Sequence, residues 1–217
     1  MATLQAVIFD YGGVLRGDER GGFNAVDATF GFPPGRLWSL FHDIPEYRLS
    51  RRGEIDADAF RAAVRRNLVA VTGEDARADA ALAALDQYMG ALAPIDAAMR
   101  ALVVRLRAAG RVKLGLLSNA SRGWTERLRA RGVADLFDDV VVSADVGLAK
   151  PDPEEFRLAA RRLGVEPVAC LMIDDQPQHL ESARRVGLHT HLFEHARRAA
   201  LIDRLEAEGA LDVATGR

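Results

Sequence analysis

Residues 6–14 read Ala6-Val7-Ile8-Phe9-Asp10-Tyr11-Gly12-Gly13-Val14: an apolar run that stops on a carboxylate and then on two glycines. A short, continuously apolar run has the pattern of a strand covered on both faces. Strand ends of open parallel sheets form the crevice where ligands bind. Asp10 therefore stands where a nucleophile would meet an anionic substrate, and glycine lets the main chain approach a phosphate or metal closely. The competing reading of the same segment is an aspartate that turns the chain after a buried strand.

Working outward, similar runs occur at Val112–Leu117, Val140–Val142, Ala169–Ile173 and, less purely, Leu188–Phe193. Helical stripes lie between them. Ile95, Met99, Leu102, Val103 and Leu106 form one, and Phe156, Ala159, Ala160 and Leu163 another. Asp152 caps the second stripe, Pro153 suits its first turn, and Glu155 completes a pattern like a capping box. Strands alternating with helices predict an α/β fold with a doubly wound parallel sheet.

The alternation breaks from about Gly17 to Gly90. Phe60, Val64, Leu68 and Val71 line one helical face there, and Leu82, Leu85, Met89 and Leu92 another. Pro33-Pro34-Gly35 interrupts before Leu37-Trp38-Ser39-Leu40-Phe41, where Trp38 and Phe41 read as packing within the helical segment. The predicted organisation is a core of residues 1–16 plus 91–217 and a helical cap of residues 17–90, with Gly90–Pro94 as the return hinge. An insertion after the first strand hangs over the sheet's carboxyl end, where a lid belongs. The tail after Gly209 reads as frayed.

Composition narrows the function classes. A net charge of −2 leaves no footprint for nucleic acid or an anionic membrane. The paired arginines Arg65-Arg66, Arg161-Arg162 and Arg184-Arg185 are interspersed with acids and read as solvated helix faces. The single cysteine, Cys170, lies in an apolar stretch; it excludes an internal disulfide, reads as a buried thiol and fits a reducing compartment. No apolar run approaches a membrane span, and Met1–Gln5 passes without a charged leader into a strand, so the expected location is cytoplasmic.

Three later segments add chemistry to Asp10. The second strand ends in Ser118-Asn119, which offer donors to a phosphoryl oxygen or, alternatively, a helix cap. Lys150, in Gly147-Leu148-Ala149-Lys150-Pro151-Asp152-Pro153, lies on the Asp10 side of the sheet, where an ammonium could neutralise nucleophile and transferring group together. The fourth strand ends in Asp174-Asp175, which would face Asp10. Like charges about 4 Å apart repel by roughly 4 kcal/mol at an effective dielectric near 20, so the three carboxylates require cations or protons. Lys150 supplies one charge, and a hard, oxygen-seeking ion such as Mg²⁺ is the natural second.

In this order, Phe9-Asp10-Tyr11-Gly12-Gly13-Val14, Leu117-Ser118-Asn119, Lys150-Pro151 and Ile173-Asp174-Asp175 resemble the four motifs of the haloacid dehalogenase superfamily. The resemblance covers essentially the whole chain, the helical cap included. It implies a magnesium-dependent phosphatase in which Asp10 attacks phosphorus to form an aspartyl-phosphate that water hydrolyses. Asp10, the Gly12 carbonyl and Asp175 would hold the metal, with Asp174 supporting or sharing that role. Ser118, Asn119 and Lys150 would hold the phosphoryl group. The implied partner is a small phosphorylated metabolite, with no nucleic acid or membrane and a monomer or homodimer as the assembly.

Two positions depart from the family pattern. Phosphatases of the family usually carry an acid two residues beyond the nucleophile, and here that residue is Gly12. Asp18, Glu19, His42 and Asp43 are the candidates to replace it, and the sequence does not choose among them. His179 stands where asparagine or aspartate is common and points to altered support for the metal. Two alternatives remain: a metal-free 2-haloacid dehalogenase, which Asp174-Asp175 disfavours, and a non-catalytic binder of a phosphorylated ligand or protein, which Gly12 admits. His189 and His191, with His195 following, read as the solvated face of an edge strand rather than a zinc site.

Overall fold

The computed structural model describes residues 3–17, 19–91 and 94–212. In chain order the elements are β1 (Ala6–Phe9), α1 (Glu19–Phe30), α2 (Arg36–His42), α3 (Pro45–Arg51), α4 (Ala57–Thr72), α5 (Asp75–Ala91), α6 (Ala97–Ala109), β2 (Lys113–Ser118), α7 (Trp124–Ala130), β3 (Asp139–Val142), α8 (Ser143–Val146), α9 (Pro153–Leu163), β4 (Cys170–Asp174), α10 (Pro177–Arg185), β5 (His189–Leu192) and α11 (Arg198–Ala207). All five strands are parallel, in the order β3-β2-β1-β4-β5. Phe9 is level with Leu116 and with Ile173, so Asp10 and Asp174 leave the sheet side by side. The Asp10 N–H donates to the Ile173 carbonyl (2.9 Å), which fixes that level.

The pleat explains why the strand runs are apolar throughout. Val7, Phe9, Leu116, Leu171 and Ile173 face a cluster shared with α6 and α11, whereas Ala6, Ile8, Cys170 and Met172 face one shared with α9 and α10. Each fully buried side chain of this size contributes roughly 1.5–3 kcal/mol relative to exposure. Gly115 permits the closest approach: a Cβ there would lie 2.9 Å from Leu163 Cδ1 on α9. The Asp96 carboxylate caps α6 through the Ala98 and Met99 N–H groups, and the Asp152 carboxylate caps α9 through the Glu154 N–H.

Helices α1–α5, between β1 and α6, gather around a hydrophobic cluster of their own that includes Phe23, Leu37, Phe60, Val64, Leu68, Leu82 and Leu85. Trp38 and Phe41 pack against it. Gly35 precedes α2 without a side chain to cap it, and buried Asp27 takes over by accepting from the Leu37 N–H (2.9 Å). The two chain passages joining these helices to the sheet are tied together. Tyr11 Oη donates to the Pro94 carbonyl (2.7 Å), the Asp96 N–H to the Leu15 carbonyl (2.8 Å), and buried Arg16 to the Met89 carbonyl.

Several sequence expectations shift. β2 and β4 run one residue further than their apolar cores, so Ser118 and Asp174 are the last residues of strands. Val71 is 37% exposed and does not join the α4 stripe, and Leu92 lies outside the described residues. Glu155 makes no capping box: the Asp152 N–H donates to the Ala149 carbonyl instead, and the Glu155 side chain turns fully into the interior. The chain after Gly209 is not frayed at once, because Ala210 and Leu211 are buried in the core cluster around α6 and α11. Cys170 is buried as expected, with its thiol toward the Glu166 carbonyl. His189 and His191 lie on β5, an edge strand.

Candidate active site

The ends of β1 and β4 and the residue that follows β2 converge on one lysine. Lys150 Nζ lies 2.7 Å from Asp10 Oδ1 and 2.7 Å from Asp174 Oδ2, and all three residues are buried. The loop bearing Lys150 is clamped from β2: Asn119 Nδ2 donates to the Lys150 carbonyl and the Lys150 N–H donates to Asn119 Oδ1, each at 2.9 Å. Asp174 is held further by the Gln176 N–H (2.9 Å to Oδ1) and by His179 Nδ1, 3.1 Å from both carboxylate oxygens. Buried His179 thus touches Asp174, the first residue of the Asp174-Asp175 pair. Buried Ser118 ends β2 beside this group, and the next loop is pinned by Ser143, whose hydroxyl accepts from the Ala120 N–H (3.0 Å).

The electrostatics follow from burial and neighbours. Burial pulls the Lys150 ammonium down, but the carboxylates on both sides outweigh it and its pKa ends above the ordinary lysine value. Burial also raises Asp174, yet Lys150 and His179 reverse that and hold it below the usual carboxylate range. Asp10 shares the same lysine and is left raised, by burial first and then by the charges of Asp174 and Asp175. Asp175 is pushed to about 6 by burial and by Asp174. Burial lowers His179, against the opposing pull of its hydrogen bond to Asp174. One ammonium faces three carboxylates, and the site is short of positive charge.

That shortage has a shape. One oxygen each from Asp10, Asp174 and Asp175 lies within 4.8 Å of the others, a spacing that fits a single hard cation. Buried Asp175 Oδ1 makes no hydrogen bond. Gly13, at φ 73°, lies so close that a Cβ would collide with the Asp175 carboxylate, so glycine is needed both for conformation and for space. Gly12 lies in the same turn, which the Gly13 N–H closes on the Arg16 carbonyl (3.1 Å). The donors are all oxygens, which suits Mg²⁺.

The described candidates for a replacement acid differ in their surroundings. Asp18 lies outside the described residues. His42 stacks on Trp38 with centroids 3.8 Å apart and donates from Nδ1 to the Trp38 carbonyl (2.9 Å); burial pushes it down to about 4. Asp43 ends α2. Glu19 begins α1, ion-pairs with Arg16 (3.3 Å) and lies against Gly12. Burial, with Asp175 adding, raises its pKa against the opposing charges of Arg16 and Arg51.

Contacts that local sequence patterns do not signal bind the inserted helices to the strand-end loops. Arg51 Nη1 donates to Ser121 Oγ (2.8 Å), Ser50 Oγ lies 2.8 Å from the same hydroxyl, and Arg122 Nε donates to the Gly53 carbonyl (3.0 Å). The Arg51 guanidinium also stacks over Tyr47 and Phe60, at 4.4 and 5.3 Å, and its buried Nε has no hydrogen-bond partner.

Known proteins share this fold. The family model of haloacid dehalogenase-like hydrolases matches residues 4–187. Phosphatase MT3486 of Mycobacterium tuberculosis is 36% identical over 87 residues, 39% of this chain and 40% of that protein, so the match spans about two-fifths of the relative. A haloacid dehalogenase family enzyme of Bacteroides thetaiotaomicron, crystallised with magnesium and inorganic phosphate, superposes with a TM-score of 0.58 at 23% identity over 88% of this chain and 94% of its own. A 2-haloacid dehalogenase of Pseudomonas syringae pv. Tomato gives a TM-score of 0.56 at 21% identity over 86% and 85%. At these identities the two structures speak for the fold alone.

Proposed function

The chain belongs to the haloacid dehalogenase-like hydrolases, and from that premise we propose that it is a magnesium-dependent phosphatase acting on a small phosphomonoester. The observation that carries the reading is the surplus of carboxylate: Asp10, Asp174 and Asp175 converge within 4.8 Å around a single ammonium. A haloacid substrate would bring a fourth carboxylate to this place, whereas a phosphoryl group arriving with a divalent cation balances it. Asp10, Asp174, Asp175 and the Gly12 carbonyl would hold Mg²⁺, which when bound supplies charge neutralisation to the phosphoryl oxygens.

The chain's own residues account for the rest. Asp10, at the end of β1, attacks phosphorus and becomes an aspartyl-phosphate, which water then hydrolyses. Lys150 holds Asp10 in position and stabilises charge on the transferring oxygens. The Ser118 hydroxyl donates to the phosphoryl group. Asn119 contributes chiefly by clamping the Lys150 loop, since its amide already bonds that backbone at both ends. Residues 17–90 serve as the cap, and the Arg51–Ser121 and Arg122–Gly53 bonds hold it over the strand ends so that bulk water is excluded during attack.

The test is phosphate release from p-nitrophenyl phosphate and a panel of phosphorylated metabolites, with Mg²⁺ or EDTA, for wild type and Asp10→Asn. Magnesium-dependent release that drops at least 10³-fold in Asp10→Asn, with an unchanged circular dichroism spectrum, is expected. Substantial activity in the variant would remove Asp10 as nucleophile. No release by wild type from any phosphoester would overturn the phosphatase reading.

A further inference from the structure

Each of the other acids in the cleft already has a task. Asp10 and Asp174 share Lys150, Asp174 also engages His179, and Asp175 turns toward Gly13. Glu19 has none. It is the first residue of α1, reached from Asp10 by a turn with no side chain at Gly12 or Gly13. A Cβ built on Gly12 would lie 3.2 Å from Glu19 Oε2, so the glutamate head occupies the place that a side chain on Gly12 would fill. Arg16 fixes that head from the far side: its Nη1 lies 3.3 Å from Glu19 Oε1, and it is itself anchored to the Met89 carbonyl across the hinge. The Glu19 side chain keeps 25% of its surface exposed, so a substrate can reach it. His42, Lys150 and His179 do not compete for this position, because each is already committed to another partner.

We propose that Glu19 is the proton-transferring catalytic residue of this enzyme, acting from the start of the cap over the space left by Gly12. The inference rests on the phosphatase reading. In the first step an Asp10 oxygen bonds to phosphorus and the bond from phosphorus to the ester oxygen breaks. The electron pair stays on that oxygen, which takes the Glu19 proton and leaves as an alcohol. In the second step water bonds to phosphorus and gives its proton to the Glu19 carboxylate. The bond between phosphorus and Asp10 breaks, its electrons return to the Asp10 carboxylate, and inorganic phosphate leaves. Both residues end as they began.

The experiment compares wild type, Glu19→Gln, Glu19→Ala and the double variant Gly12→Asp/Glu19→Ala on p-nitrophenyl phosphate and on the best alkyl phosphate of the panel. Acid assistance contributes about 10²–10⁴-fold, so Glu19→Gln should lose that much kcat on the alkyl ester. On p-nitrophenyl phosphate it should still release a rapid burst of nitrophenolate equal to the enzyme present, followed by slow turnover, because attack survives while the water step is slowed. Moving the acid to position 12 in the double variant should recover alkyl turnover at least tenfold over Glu19→Ala, which a packing role for Glu19 would not allow. The rise in melting temperature with Mg²⁺ should be unchanged in Glu19→Gln.

Alkyl turnover retained in Glu19→Gln, or loss of the burst in proportion to alkyl turnover, would overturn the role. So would a lost magnesium shift, which would make Glu19 a support of the metal. In those cases wild type remains active and only this inference falls. A wild type inert toward both esters removes the phosphatase reading and this inference with it.

Discussion

Lys150 shows how much of the site hangs on one side chain. Among the described residues it is the one lysine or arginine in ion-pair contact with Asp10 and Asp174, and it is buried between them. Removing one partner from a buried ion pair leaves charge uncompensated and typically costs about 3–5 kcal/mol. Lys150→Met should therefore lower stability by about that amount in EDTA as well as abolish turnover, whereas Asp10→Asn, which removes an acid and leaves Lys150 with Asp174, should melt near or above wild type. Urea melts of the two variants without metal decide this, and equal destabilisation by both would contradict the charge account. Lys150 itself was legible from its loop. Its partner Asn119 was not, because its use as a backbone clamp depends on two loops 31 residues apart meeting in space.

At the scale of the element, α9 carries a buried acid that local rules misread. Glu155 stands where a capping box would place it, yet it is fully buried and neither carboxyl oxygen finds a hydrogen bond of good geometry. Burial pushes it up to about 8, although the nearby Lys150 favours its charged form. Below about pH 4.5 the group is neutral in both folded and unfolded chains. Between there and about pH 8 the unfolded chain loses the proton and the folded chain keeps it, so this group's contribution to stability falls as pH rises. Glu155→Gln removes the dependence. Its melting temperature should exceed that of wild type by an amount that grows from pH 5 to pH 8, by several degrees for a difference on the order of a few kcal/mol. A gap independent of pH would mean that Glu155 is charged in the fold.

For the whole molecule, the parallel sheet brings acids from two strand ends to one point before anything is bound. A cation that binds the folded chain but not the unfolded one stabilises it by mass action, about 2.7 kcal/mol at a hundredfold excess over its dissociation constant. Saturating Mg²⁺ should accordingly raise the melting temperature by several degrees, and Asp175→Asn should shrink that shift while raising the melting temperature in EDTA. Calorimetry with Mg²⁺ and with EDTA tests both halves. An unchanged melting temperature in wild type would remove the proposed metal site. Among the described residues no helix is long and apolar enough to cross a membrane.

The strand ends leading to Asp10, Ser118 and Asp174-Asp175 were legible from the chain because apolar runs and helical stripes are local patterns, and a parallel sheet puts every strand's carboxyl end on one edge. The helical insertion was legible for the same reason. The burial of Ala210 and Leu211, the inward turn of Glu155 and the contact of Arg51 with Ser121 were settled by packing between distant segments. So were the surroundings of Glu19, His42 and Asp43. Each carries an acid or base that sequence alone ranks equally, and only the turn at Gly12, with Arg16 fixed across the hinge, brings the Glu19 carboxylate against the space where a side chain is missing. Periodicity is a property of neighbours along the chain; which acid meets the substrate is a property of neighbours in space.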